Sequence, residues 1–220
     1  MRSLLRFIAP HKTIPNTPWR AEHRWQLSPL RVSILFFGLA IFGLGDSLLV
    51  QGNTGNAPWT VFAQGLSIKT GWALGLSTAV ISVCVLLFWI PLRERPGFGT
   101  VANIALIATF IQIGTEIFPL AQSFALGIAY DLLGIALVGI GSALYITCGL
   151  GPGPRDGMMT GLHLRTGIRV GRVRLAIEVT VLAIGWLLGG TVGAGTLLFA
   201  LLIGNSIAIS LGVVARLTSR

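Results

Sequence analysis

Two short stretches of this chain gather the polar groups best placed to bind a charged solute. In the first, Gln51, Asn53, Thr54, Asn56, Trp59, Thr60 and Gln64 surround Pro58. In the second, Gly151 and Pro154 lead into Arg155 and Asp156. Each stretch opens with a Gly/Pro-rich break and then reads as a helix of about 12 residues, with proline in the first turn, where its missing N–H costs nothing. Gly71 and Gly167 are the stops. A helix N-terminus carries unpaired N–H groups and about half a positive charge. Two such ends facing one cavity would favour an anion, and the Arg155 guanidinium could fork onto a carboxylate, sulfonate or phosphate. The alternative is an Arg155–Asp156 pair that caps the helix and faces the cytoplasm. The candidate substrate-binding set is therefore Gln51, Asn53, Asn56, Pro58, Trp59, Thr60, Gly151, Pro154, Arg155 and Asp156.

Other chemistry is sparse. The carboxylates inside apolar segments are Asp46, Glu116, Asp131 and Glu178, and charges at membrane depth are costly and usually paired or functional. Asp46, Glu116 and Asp131 fall toward the ends of their segments, so exposure at the interface is expected for each. Glu178 lies four residues after Arg174 on one helix face. It is either the partner of that arginine or a carboxylate that couples a proton or substrate. There is no Ser/His/Asp order, no HExxH and no Walker lysine, so no catalytic residue and no enzyme activity are expected. His11, His23 and His163 have no ligand-type neighbours at metal-binding spacing, and Cys84 and Cys148 read as small buried residues. No metal or cofactor is expected.

What positions these residues is a duplication. Residues 38–111 align without a gap on residues 134–207, with 23 identities in 74 pairs, nine of them glycine. Pro58 falls on Pro154, Trp59 on Arg155 and Thr60 on Asp156. The chain is 53% hydrophobic and 10% charged, against about 25% charged in a soluble domain, so it reads as an all-α polytopic membrane protein. Six segments are long and apolar enough to span: 31–51, 72–92, 100–119, 123–148, 172–189 and 195–215. The 12-residue helices between first and second, and fourth and fifth, would rise only about 18 Å and cannot cross a ~30 Å core. Each copy is thus span, short re-entrant helix, span, span. Three crossings per copy turn the second copy upside down, giving two inverted three-helix repeats.

The net charge of +9 is a topology signal before it is a nucleic-acid signal. Arg2, Arg6, Lys12, Arg20, Arg24 and Arg31 precede or open the first span, Arg155, Arg165, Arg169, Arg172 and Arg174 share one loop, and Arg216 and Arg220 end the chain. With both termini cytoplasmic, Lys69 is the lone basic residue in a loop on the far side. The expected organisation is a basic cytoplasmic arm at 1–30 lying on the anionic leaflet, a first repeat at 31–119 and a second at 123–215, within one membrane domain. The first 30 residues hold no apolar h-region of a signal peptide.

The motif Gly55-Asn-Ala-Pro-Trp-Thr-Val-Phe-x-Gln-Gly-Leu-Ser67 with Thr70-Gly71 is specific. So are Gly149-Leu-Gly-x-Gly-Pro-Arg-Asp-Gly-Met-Met-x-Gly-Leu162, the Arg174/Glu178 spacing and Gly185-Trp-x2-Gly-Gly190-x2-Gly-x-Gly-Thr196. Together they resemble the YczE/YyaS/YitT group of bacterial integral membrane proteins over nearly all of residues 31–215. The resemblance implies an inner-membrane protein associated with transport, without an assigned substrate, and carries no ligand role to any residue here. The basic arm lies outside it.

The function expected from the residues is a small secondary transporter or facilitator of a small anionic solute, working by alternating access about a site between the two broken segments. A channel-like pore and a non-transporting scaffold or regulator are the alternatives. The expected partners are the lipid bilayer, the small-molecule substrate and a second copy of the chain, with no nucleic acid.

Overall fold

The structure, a computed structural model, describes residues 10 and 13–218. Arg2, Arg6, His11, Lys12 and Arg220 lie outside the described residues. The helices are α1 (Pro29–Gly52), α2 (Pro58–Thr70), α3 (Leu74–Leu87), α4 (Trp89–Leu92), α5 (Phe98–Ile117), α6 (Phe124–Thr147), α7 (Pro154–Thr166), α8 (Val170–Leu187) and α9 (Ala194–Thr218), and no strand occurs among the described residues. Among the described residues, five helical stretches are long and apolar enough to cross a membrane: α1, α3 with α4, α5, α6 and α9. The stretch expected as the fifth span, α8, is 18 residues long but carries Arg172, Arg174 and Glu178 within it. Large apolar side chains, among them Phe37, Phe88, Leu187 and Leu201, face outward on these helices, as helices in contact with lipid require.

Sequence punctuation explains the boundaries. Ser28 caps α1 by accepting from the Arg31 N–H, and Ser123 caps α6 by accepting from the Leu126 N–H. α2 and α7 are each 13 residues long, start on proline and stop at a left-handed glycine, Gly71 and Gly167. The segment expected to run unbroken over 72–92 is interrupted at Phe88, where α3 ends and α4 begins.

α1 and α6, the first helix of each copy, form the central pair and run antiparallel. Gly38 lies against Gly141 and Gly45 against Gly134; a methyl added at Gly38 would sit 2.8 Å from Leu144 Cβ, and one at Gly45 would sit 2.8 Å from the Gly134 carbonyl. Such close approach is how small residues let helices pack where lipid offers no hydrophobic drive. Moving 96 positions along the duplication converts one of these contacts into the other. The third helix of each copy completes the layer, α5 on α1 and α9 on α6. The short helices exchange partners across the copies: α2 packs on α8, and α7 on α3.

The expected arm is not a free surface segment over its described part. Thr17 Oγ1 donates to the Thr147 carbonyl at 3.1 Å, Trp19 Nε1 donates to Thr147 Oγ1 at 3.3 Å, and the Ala21 N–H donates to the Cys148 carbonyl at 2.9 Å. Arg31 Nε reaches the Trp19 carbonyl at 2.6 Å. Thr17 and Ala21 are buried. The last carbonyls of α6 have no intrahelical donor, and the arm supplies donors to them. Its prolines keep it from continuing as a helix, and a turn from Thr17 to Arg20 brings it back over Thr147 and Cys148.

Candidate functional site

Each break is braced by the other copy. The Gly99 N–H donates to the Leu150 carbonyl at 2.8 Å, and the Gly195 N–H donates to the Thr54 carbonyl at 3.1 Å. These are the same bond in duplicate, since 99 and 195, and 54 and 150, are equivalent positions. Gly55 and Gly151 turn the chain at φ +124° and +113°, where a Cβ is strained. Gly55 also lies against Gly193 and Thr196, and Gly151 against Gly97 and Thr100. The result is two helix N-termini aimed into the protein, with N-cap residues Ala57 and Gly153 that offer no side-chain cap.

The two ends meet at a cavity of about 260 Å³. Its walls include seven pairs of duplicate positions: Phe42/Val138, Ala57/Gly153, Pro58/Pro154, Trp59/Arg155, Ser82/Glu178, Asn103/Phe199 and Ile107/Ile203. The cavity therefore straddles the relation between the copies. Arg155 lies over the Trp59 ring, its guanidinium carbon 5.0 Å from the ring centroid. Arg155 is half-buried, and among the described residues its guanidinium makes no hydrogen bond and no ion pair within 4 Å. The groups close enough to act on its charge are Asp46, Asp156, Tyr145 and Glu178. Asp156 Oδ2 accepts from the Tyr145 hydroxyl at 2.6 Å. Glu178 is held by Arg174 Nε at 2.8 Å. The second broken segment is fixed by Trp89, whose Nε1 donates to the Pro154 carbonyl at 2.9 Å while its ring covers Gly157.

Two carboxylates expected at an exposed interface are buried. Asp46 is 2% exposed and accepts from Thr60 Oγ1 at 3.0 Å. Asp131 is fully buried and accepts from Thr54 Oγ1, pinning the first break to α6. The breaks fold back over both, so distance along the helix from its end misjudges depth. Glu116 is exposed and accepts from Gln112 Nε2.

Of the candidate residues, Pro58, Trp59, Pro154, Arg155, Asp156 and Glu178 line the cavity. Gln51 points elsewhere, donating to the Thr115 and Phe118 carbonyls at 2.6 Å each and tying α1 to α5. Asn53 is the left-handed cap of α1. Asn56 is buried and donates to Gln64 Oε1 at 2.8 Å. Thr60 supports Asp46, and Gly151 packs on Gly97 and Thr100 without reaching the cavity. Residue-by-residue reading missed Ser82, Asn103, Ser142 and Tyr145. The duplication pointed to two of these, because Ser82 is the counterpart of Glu178 and Ser142 that of Asp46. No group of three metal-type ligands occurs among the described residues.

An all-helical membrane protein with a cavity between duplicated breaks is the class these observations define. The chain belongs to a family of unknown function (DUF6198), whose profile matches residues 29–211. It is 44% identical over 206 residues to an uncharacterized protein of Haemophilus influenzae, covering 94% of each chain. It is 35% identical over 184 residues to the uncharacterized membrane protein YczE of Bacillus subtilis, covering 83% of this chain and 86% of that one. It is 30% identical over 191 residues to the uncharacterized protein YyaS of the same organism, covering 81% of this chain and 91% of that one. No solved structure matches it.

Proposed function

We propose that this protein is a small secondary transporter or facilitator of the bacterial inner membrane that moves a small anionic solute by alternating access, binding it beside Arg155. The observation that carries this reading is Arg155 itself: a guanidinium backed by an indole, lining a cavity and free of hydrogen-bonded partners among the described residues. Its donor fork fits a carboxylate, sulfonate or phosphate. The uncapped ends of α2 and α7 add N–H groups of the same polarity.

Six crossings arranged as two inverted repeats are the architecture that best accounts for the rest. In that reading α8 is the fifth crossing and α9 the sixth, the α8 arginines lie at the cytoplasmic end, and α2 and α7 re-enter without crossing. The antiparallel α1–α6 pair supports it, because an odd number of crossings per copy makes equivalent helices antiparallel. Cavities at the junction of such repeats are the usual substrate sites. The distribution of Arg and Lys supports cytoplasmic termini.

Charge balance suggests the coupling. Asp46, Asp156 and Glu178 all act on Arg155, so an arriving anion competes with carboxylates already present. Glu178 is paired with Arg174, and Asp156 with the Tyr145 hydroxyl. Asp46, buried and held among the described residues by Thr60 alone, is the group whose protonation would let the anion in. The reading is tested by thermal unfolding of the purified protein with acetate, lactate, succinate, methanesulfonate or inorganic phosphate. At least one should raise the melting temperature of the native protein and not that of Arg155→Ala. Equal shifts in both, or none in either, would remove the anion site.

A further inference from the structure

The two copies are not in the same conformation. In the first copy α3 packs along α5: a methyl added at Gly75 would lie 2.5 Å from the Ala108 carbonyl and 2.9 Å from Gln112 Cβ. The Gly75 N–H donates to Gln112 Oε1 at 3.0 Å. The equivalent positions in the second copy are Gly171 on α8 and Gly204 and Ala208 on α9. Here the seam is open. Among the described residues, neither Gly171 nor Gly204 has an atom of another element within 4 Å of an added Cβ, and α8 packs on α2 and α7 without forming a packed face on α9.

We propose that the protein has a second state in which α8 closes onto α9, bringing Gly171 against the backbone at Gly204 as Gly75 now lies against Ala108. Gly204 lies inside α9, where glycine is costly in backbone entropy and is worth keeping where another backbone comes close, and Gly171 lies in the first turn of α8, as Gly75 does in α3. At Gly75 the close partner is present; at Gly171 and Gly204 two glycines face open space where the same contact exists in the other copy. Gly204 and Ala208 replace Ala108 and Gln112, so the second seam is lined by smaller residues opposite Gly171, while Leu175 and Leu201 replace Ala79 and Ala105 further along it. The open seam also borders the cavity, through Glu178 on one side and Phe199 and Ile203 on the other. Closing it shuts that mouth. By the same duplication, opening the seam between Gly75 and Ala108 exposes Ser82, Asn103 and Ile107 on the opposite side of the cavity.

The role of this motion rests on the transport reading, but its existence is measured without a solute. Gly171→Cys/Gly204→Cys is made in the full chain with Cys84→Ala, leaving the buried Cys148 in place. Both glycines have room for a side chain, so the variant should melt with the native protein. A disulfide needs Cα atoms within about 7 Å, so it reports closure. Oxidation with copper phenanthroline in membranes should give a monomer-sized product with the two peptides linked, reversed by reductant. A second pair, Leu175→Cys/Leu201→Cys, both exposed on facing sides of the seam, should also link if the first pair fails to fold. Absence of linked peptide in folded protein, with both thiols still titrating after denaturation, would overturn the proposal. A dimer linked through Gly204→Cys alone would overturn it too, by assigning that face to a second copy of the chain.

Discussion

Arg155 stacks on Trp59, the residue it replaces in the other copy, with 5.0 Å between the guanidinium carbon and the ring centroid. Both residues line the cavity, so the two copies meet there through equivalent positions. One copy supplies a cation and the other its platform. A site built this way is asymmetric in chemistry although its frame is duplicated.

The platform is worth measuring. Cation–π contact over tryptophan contributes about 0.5–2 kcal/mol when desolvated, so Trp59→Ala should weaken binding of the stabilising anion by roughly 2- to 30-fold. Trp59→Phe keeps a ring and should lose less. Titration calorimetry distinguishes the two, and equal affinities for all three proteins would show that the stack positions nothing.

Asp46 should set the pH dependence. Its negative charge opposes the entering anion at Arg155, so a proton on the carboxylate favours binding. Anion affinity in the native protein should therefore rise as pH falls, and in Asp46→Asn it should be flat and near the low-pH value. Glu178→Gln should keep the native slope, because Arg174 already balances Glu178. A flat native profile, or a slope that survives in Asp46→Asn, would remove Asp46 from the coupling role.

Gly55→Ala and Gly151→Ala should destabilise the fold to similar degrees, each by about 1–3 kcal/mol. Both positions combine positive φ with a neighbouring chain in contact. Gly71→Ala and Gly167→Ala have positive φ but nothing within 4 Å, so the cost should be that of the backbone alone, about 1 kcal/mol. Unfolding in detergent by guanidinium orders the four variants.

Local punctuation was legible in the sequence, and long-range pairing was not. Proline and glycine set the ends of α2 and α7, which is why both helices fall within a residue or two of their expected ranges. The burial of Asp46 was not legible, since it depends on a short helix folding back so that Thr60 reaches the carboxylate. Gln51, Asn53 and Asn56 were polar and near the break, yet each satisfies a backbone or side-chain need there, a demand that composition does not reveal. Arg155 could be singled out by its alignment with Trp59. That the two residues touch required the antiparallel arrangement of α1 and α6. The fifth apolar segment was legible as a helix, but its arginines and Glu178 make it less apolar than the other five.

The most direct test of the central claim is solute counterflow in proteoliposomes with the five anions named above. The native protein should exchange at least one of them saturably. Arg155→Ala should lose that exchange by about tenfold or more, as expected for removing a charge-assisted hydrogen-bonding group worth about 1.5–3 kcal/mol, while melting close to the native protein. Arg155→Lys should recover part of it, since a point charge cannot fork. Exchange that is untouched in Arg155→Ala, or no exchange of any of the five by folded native protein, would contradict a solute site at Arg155.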